Sequence, residues 1–96
     1  MEGGTIKDFM DCVSYEDVYF MFRGKKYFTT GVESYPNNVY RIYCCELGPE
    51  YQALNDILDL SNNSLEECLS AFENMSLWGN GKTIYDVEKE IEWIDG

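Results

Sequence analysis

The stretch Val18-Tyr-Phe-Met-Phe-Arg-Gly-Lys-Lys-Tyr-Phe-Thr-Thr30 decides the fold, because it has the pattern of two strands joined by a tight turn. Side chains over residues 18–23 alternate between two faces with the period of a strand. Gly24-Lys25 predicts a two-residue turn with glycine first, as a type II′ turn requires. The return segment, residues 26–30, is rich in aromatic and β-branched residues. We therefore predict an antiparallel hairpin.

The segments on either side of the hairpin extend it to a small sheet with one helix before it. Thr5, with Asp8 three residues later, predicts the capped start of a short helix that buries Phe9 and Val13. Residues 33–38 contain Pro36 and two asparagines and predict a loop. Residues 39–46 predict a third strand, in which successive side chains point to opposite faces of the sheet. The result is a three-stranded antiparallel meander, with one face covered and one partly wet.

The second half of the chain is predicted to be helical. Pro49 suits a first helical position, and the apolar residues after it indicate a short helix that ends near residue 60. Ser64 and Glu67 form a capping-box pattern before a second apolar stripe. With the final segment, the predicted order is αβββ(α)αα, in a single α+β domain over residues 1–96.

The final stretch, Gly81-Lys-Thr-Ile-Tyr-Asp-Val-Glu-Lys-Glu-Ile-Glu-Trp-Ile-Asp95, is predicted to be one amphipathic helix. Its aliphatic side chains fall at steps of three and four and share one face: Ile84, Val87, Ile91 and Ile94. Thr83 would cap the helix, with Asp86 reaching back to it. Trp93 points away from the aliphatic stripe. Two interpretations of Trp93 are open: packing against a neighbouring helix, or an exposed contact anchor.

The acids of this predicted helix are placed where they destabilise it. Glu88 lies four residues before Glu92, and Asp86 four before Glu90; each such pair costs roughly 0.2–0.5 kcal/mol. Acids near a helix C-terminus also oppose the macrodipole. We therefore predict a surface for a cationic partner, although the same acids could simply keep a small protein in solution. The predicted partner-binding residues are Glu66, Glu67, Glu73, Asp86, Glu88, Glu90, Glu92, Trp93 and Asp95.

The charge of the chain is strongly negative and unevenly distributed. The sequence has 18 acids, 7 bases and a net charge of −11. Residues 1–45 hold six acids and five bases, whereas residues 46–96 hold twelve acids and two lysines. Nucleic acids and anionic membranes require cationic surface, so direct binding to either is not expected. No signal peptide or membrane-spanning run is recognisable, and we expect a protein of the reducing bacterial cytoplasm.

The sequence offers little for catalysis, metals or cofactors. It has no histidine, and its four cysteines lack C-x-x-C spacing, so we expect free thiols and no metal site. Gly79-Asn-Gly-Lys-Thr83 resembles the end of a phosphate-binding loop, but Ser76 stands where the first glycine is needed, and a helix is predicted before it. The acids do not follow the calcium-loop pattern. An enzyme is not expected.

Several of these segments together resemble a known group of proteins. They are the short first helix, the hairpin Phe20-Met-Phe-Arg-Gly-Lys-Lys-Tyr-Phe28, the third aromatic strand, Leu65-Glu-Glu-Cys-Leu-Ser-Ala-Phe72, Gly-Lys-Thr and the acidic end. The chain is similar over most of its length to small acidic αβββαα proteins encoded by bacteria, their prophages and mobile elements. Some proteins of this build are anti-CRISPR inhibitors of type II Cas9.

The resemblance implies DNA mimicry, in which carboxylates occupy the basic site of Cas9 that reads the PAM. A helix rises about 1.5 Å per residue, and duplex DNA carries about one charge per 1.7 Å, so a line of acids on a helix would match it. The expected partner is the Cas9–guide RNA complex. Two alternatives stay open: an immunity or antitoxin-like protein that sequesters a basic nuclease, and a structural protein whose acids only solubilise it. The chain would act as a monomer or a homodimer.

Overall fold

The computed structural model describes residues 1–95. In chain order the elements are α1 (Ile6–Val13), β1 (Val18–Phe22), β2 (Lys25–Thr29), β3 (Glu33–Tyr35), β4 (Val39–Leu47), β5 (Ala53–Asn62), α2 (Leu65–Asn74), the 3₁₀ turn Glu88–Glu90 and β6 (Ile91–Asp95). The α+β class is confirmed. The three-stranded meander and the order αβββ(α)αα are wrong, because the six strands form one antiparallel sheet.

The long strand β4 organises the sheet. One side of β4 pairs with β3 near its start and with β2 near its end, and the other side pairs with β5 along nearly its whole length. Beyond β2 lie β1 and then β6. Among the described residues β5 pairs only with β4, so it forms one edge of the sheet. A bulge at Ile57 and the exposed carboxylates of Asp56 and Asp59 make this edge a poor template for another strand.

The β1–β2 hairpin is confirmed, with its turn one residue earlier than predicted. Phe22 pairs with Lys25, so the turn residues are Arg23 and Gly24. Their φ angles are +50° and +79°, which is the left-handed pair of a type I′ turn rather than type II′. The predicted strand β4 is also confirmed. The predicted loop over residues 33–38 is partly wrong, because Glu33–Tyr35 pairs with β4 before the turn.

The helix predicted after Pro49 is wrong. Residues 48–52 reverse the chain, with the Gly48 N–H bonded to the Gln52 carbonyl at 2.8 Å and Tyr51 at φ +61°. The chain then runs back as β5. This pairing satisfies the backbone along the outer side of β4, which a helix would have left open. The irregular spacing of Leu54 and Ile57, which mimics a helical stripe, instead marks two register shifts.

The final helix is also wrong, although its predicted start is a real capping turn. Thr83 and Asp86 exchange the expected capping bonds, at 2.9 and 3.3 Å. The segment after them forms a turn and then the strand β6, which pairs with the free side of β1. Ile84, Val87 and Ile91 are buried as the stripe predicts, whereas Ile94 is 43% exposed. Local capping therefore starts a turn here, and sheet pairing determines the structure of the residues after it.

Both remaining helices are confirmed and pack on the same face of the sheet. Thr5 and Ser64 accept bonds from the backbone N–H groups of Asp8 and Glu67, as predicted. The core on this face combines strand and helix side chains with those of the chain after α2; its largest fully buried members are Phe9, Phe20, Phe72, Ile42, Ile84 and Ile91. The predicted free thiols are confirmed, with three of the four buried.

No helix within residues 1–95 is long and apolar enough to cross a membrane.

Candidate functional site: the open face of the sheet

The face of the sheet opposite the helices carries no covering layer among the described residues. We call it the open face. Strand register places on it Tyr19, Met21, Lys26, Phe28, Arg41, Tyr43, Cys45, Leu47, Asp56, Asp59, Glu92 and Asp95. None of these side chains belongs to the hydrophobic core, even though Cys45 and Leu47 are buried.

An aromatic cluster lies on the open face. The rings of Tyr19 and Phe28, on paired positions of β1 and β2, are 5.0 Å apart. Tyr51, in the β4–β5 turn, packs edge-on against Tyr19 at 6.0 Å and 76°. The Lys26 ammonium lies 4.4 Å from the centre of the Tyr51 ring, a cation–π distance. Tyr51 nevertheless stays 54% exposed, so the cluster presents aromatic surface to solvent.

A charged network lies beside the aromatic cluster, along β3, β4 and β5. Arg41 donates two hydrogen bonds to the carboxylate of Asp59, at 2.9 and 3.0 Å. The Glu33 carboxylate lies 4.0 Å from the Arg41 guanidinium. The hydrogen bonds from Arg41 lower the pKa of Asp59, and the same bonds raise the pKa of Arg41. The network joins one arginine to two carboxylates, and its contacts link β3 and β5 to β4.

A second polar group lies where β4 meets the bulge of β5. The Tyr43 hydroxyl donates a hydrogen bond to the Asp56 carboxylate, which raises the pKa of Tyr43. Burial raises the pKa of the neighbouring Cys45 thiol. A protonated phenol and a protonated thiol are poor nucleophiles. The Tyr43–Asp56 hydrogen bond links β4 to β5.

Two depressions lie at the margins of the open face. One, of about 300 Å³, is lined by Tyr19, Tyr51, Ile94 and Asp95. The other, of about 240 Å³, lies at the turn end of the sheet; its lining includes Met21, Lys26, Leu47 and Leu54. Both are therefore bordered by apolar side chains together with at least one charged group.

The structure separates the predicted partner-binding residues into groups rather than one surface. Glu66, Glu67 and Glu73 lie on α2, and Asp86 and Glu88 lie in the chain that follows it. Burial and the neighbouring Glu73 carboxylate raise the pKa of Tyr85, so these two segments lie side by side. They belong to the helical side of the molecule. Only Glu92 and Asp95 lie on the open face, where they pair with Met21 and Tyr19.

The remaining two predicted residues make internal contacts. The Glu90 carboxylate accepts bonds from Arg23 at 2.8 and 3.2 Å, and these bonds lower the pKa of Glu90. Trp93 faces the helices, with its ring 5.7 Å from that of Phe9 and edge-on to it. Its indole N–H donates to the Asp95 carbonyl at 3.0 Å. Trp93 is therefore a packing residue, and the exposed-anchor interpretation is wrong.

Sequence reasoning missed the aromatic part of the site. The sequence pattern predicts Tyr51 in a helix, and it predicts Tyr19 and Phe28 as ordinary sheet residues. The signal that could have found them is the period of β1 and β2. Three of the residues that alternate with the buried set, Tyr19, Met21 and Phe28, are also large and apolar or aromatic. A strand that is apolar on both faces needs contacts on both faces, and the described chain supplies a full layer on only one.

Residues 1–95 contain no group of three or more Cys, Asp or Glu side chains arranged to hold a metal ion. Comparison with known proteins finds no matching family model, no similar curated protein and no similar solved structure.

Proposed function

We propose that this chain is a phage-type inhibitor that binds a basic protein partner, most concretely an anti-CRISPR protein that binds the Cas9–guide RNA complex and blocks target DNA. The observation that carries the proposal is the open face: an uncovered aromatic sheet surface bordered by the carboxylates of Glu92 and Asp95. Exposed patches of apolar surface with a polar rim are typical of protein–protein contacts, and tyrosine is enriched in them.

The charge of the chain supports a basic partner. A net charge of −11 produces an attractive field for cationic surfaces and repels nucleic acids. Both arginines of the chain are held in ion pairs within the molecule, Arg23 with Glu90 and Arg41 with Asp59, so neither opposes this field strongly. A second copy would bring the same charge to the interface, which disfavours a homodimer.

The absence of the final helix changes the mechanism. The acids at residues 86–92 do not form a helical line of charge, because Glu90 is paired with Arg23 and Glu92 lies on a strand. The inhibitor instead uses a mixed surface, with aromatic contacts at the centre and carboxylates at the edge. Carboxylates at the edge pair with the arginines that otherwise contact DNA, so that protein and DNA compete for one site.

A pair of charge reversals tests both the partner and the surface. Purified protein is added to Cas9–guide RNA complexes and, separately, to basic toxin nucleases, and binding is measured by biolayer interferometry. Glu92→Lys, on the open face, is compared with Glu66→Lys, on α2. Both substitutions change the net charge by the same amount and replace exposed acids without a salt bridge among the described residues.

We expect binding to Cas9–guide RNA, weakened at least tenfold by Glu92→Lys and less than threefold by Glu66→Lys. Equal weakening by both would mean that overall charge, and not the open face, drives binding. Binding to a nuclease alone would identify an immunity-like protein instead. Binding to neither class would leave the acids with a solubilising role and contradict the proposal.

A further inference from the structure

The larger depression on the open face has the composition of a site for an organic cation. Two of its walls are tyrosine rings set nearly perpendicular, Tyr19 and Tyr51, with centres 6.0 Å apart at 76°. Ile94 and Asp95 complete the lining, and the volume is about 300 Å³. Perpendicular aromatic walls with a carboxylate beside them are the arrangement by which proteins bind ammonium and guanidinium groups.

The position of Tyr51 is fixed by the turn that carries it. Its φ of +61° lies in the left-handed region, which is unfavourable for a residue with a side chain. Two backbone bonds hold the turn: the Tyr51 N–H donates to the Gly48 carbonyl at 3.0 Å, and the Gly48 N–H donates to the Gln52 carbonyl at 2.8 Å. Strained residues of this kind persist where the surroundings fix them, and they cluster at binding sites. The backbone of Tyr51 is thus held in place before any ligand arrives.

The Tyr51 ring already attracts a cation within the molecule. The Lys26 ammonium lies 4.4 Å from its centre, although Lys26 does not line the larger depression. The depression itself is lined by the two tyrosines, Ile94 and Asp95. An anion would meet a carboxylate and the negative ring faces there, and a purely aliphatic group would gain nothing from the polar side of the lining.

We propose that the depression between Tyr19 and Tyr51 binds an arginine side chain of the protein partner. The planar guanidinium stacks on one tyrosine while its N–H groups reach the carboxylate side of the lining. The inference rests on the proposed function, which supplies a basic partner, and it names the side chain that the open face recognises. Tyr51 is then a specificity-determining residue and not only part of a turn.

The test uses a small probe that needs no partner. N-acetyl-arginine amide is titrated into the purified protein, and the tyrosine ring resonances are followed by NMR. N-acetyl-citrulline amide, which has almost the same shape but no charge, is the control ligand. The variants are Tyr51→Phe, which keeps the ring, and Tyr51→Leu, which removes it. Tyr85→Leu is the matched control, because Tyr85 is an exposed tyrosine beside Glu73 on the helical side.

We expect saturable shifts of the Tyr19 and Tyr51 resonances with arginine amide and none with citrulline amide. Because one cation–π contact is worth about 1 kcal/mol at an exposed site, Tyr51→Leu should weaken binding about fivefold. Tyr51→Phe and Tyr85→Leu should leave it unchanged. Thermal unfolding of each variant verifies that the fold is kept. Equal shifts with citrulline amide, or equal losses in Tyr85→Leu and Tyr51→Leu, would overturn the proposal.

The two proposals fail separately. Specific arginine binding by a protein that binds no basic partner would contradict the proposed function and keep the pocket. Strong partner binding that Tyr51→Leu leaves unchanged, without any arginine-dependent shift, would keep the function and contradict the pocket.

Discussion

Alanine substitutions in β6 can distinguish the strand of the structure from a helix at the same position. In a helix, Ile91 and Ile94 would share one buried face and cost similar amounts of stability when truncated. In the structure, Ile91 is 1% exposed and pairs with Phe22 on the core face, whereas Ile94 is 43% exposed. Replacing Ile91 and Ile94 separately with alanine should therefore give similar losses of stability in a helix and different losses in the strand.

The sizes of these effects follow from burial. Truncating a fully buried isoleucine to alanine costs about 2–5 kcal/mol, so about 3 kcal/mol is expected for Ile91→Ala. Ile94→Ala removes a side chain that is already largely in water and should cost less than about 1 kcal/mol. With a urea m-value of about 1.5 kcal/mol/M for a chain of this size, Ile91→Ala lowers the unfolding midpoint by about 2 M.

The assay is urea unfolding followed by tryptophan fluorescence and by circular dichroism, with both variants measured beside the wild type. Coincident transitions from the two signals would justify a two-state analysis. A loss for Ile94→Ala within about 0.5 kcal/mol of the loss for Ile91→Ala would refute the strand assignment and restore the helix.

Three further predictions address the turns, the ion pairs and the thiols. Asn37 has a φ of +67°, so Asn37→Ala should cost about 1 kcal/mol in thermal unfolding, and an unchanged melting temperature would contradict the left-handed turn. Arg41 lowers the pKa of Asp59, so the stability from this pair is present above the usual aspartate pKa of about 3.9 and is lost as the pH falls through the lower folded value. In an NMR titration, Arg41→Leu should return the Asp59 pKa toward its ordinary range, and an unshifted curve would refute the pairing. Burial raises the pKa of both Cys44 and Cys45, so neither should react with Ellman's reagent at pH 8 until urea unfolds the chain, and rapid native-state reaction would contradict their burial.

The parts of the fold that sequence predicts correctly are those determined by neighbouring residues. Thr5 and Ser64 each cap a helix through a backbone N–H three residues away, and the hairpin turn joins strands that are adjacent in sequence. Such signals lie within a few residues of one another. They are readable without knowing the rest of the chain.

The parts that sequence reasoning missed depend on distant partners. β5 forms because β4 offers a long unpaired side, and β6 forms because β1 offers another. Phe22 and Ile91 pair although they are far apart in the sequence. The aliphatic spacing of Ile84, Val87 and Ile91 correctly identifies buried residues but not the backbone that buries them. The same spacing of buried aliphatic residues can occur in a turn, a strand or a helix.

The candidate site predicted from sequence is dispersed for the same reason. A helix over residues 83–95 would have brought its acids together on one element. The turn and the strand β6 separate them instead. Glu92 and Asp95 reach the open face only because β6 pairs with β1. Tyr51 reaches it only because the β4–β5 turn folds back over the sheet. Neither placement has a local signature.

Inhibition of Cas9 is tested most directly by target cleavage with Cas9–guide RNA complexes, with the protein added before or after DNA, across a series of salt concentrations. An inhibitor that competes for a basic DNA-binding site must be present before DNA, and its inhibition must weaken as salt rises, because both ligands depend on screened charges. We predict that result, with inhibition lost in Glu92→Lys and kept in Glu66→Lys. Full cleavage at every salt concentration and in both orders of addition would contradict the proposed function.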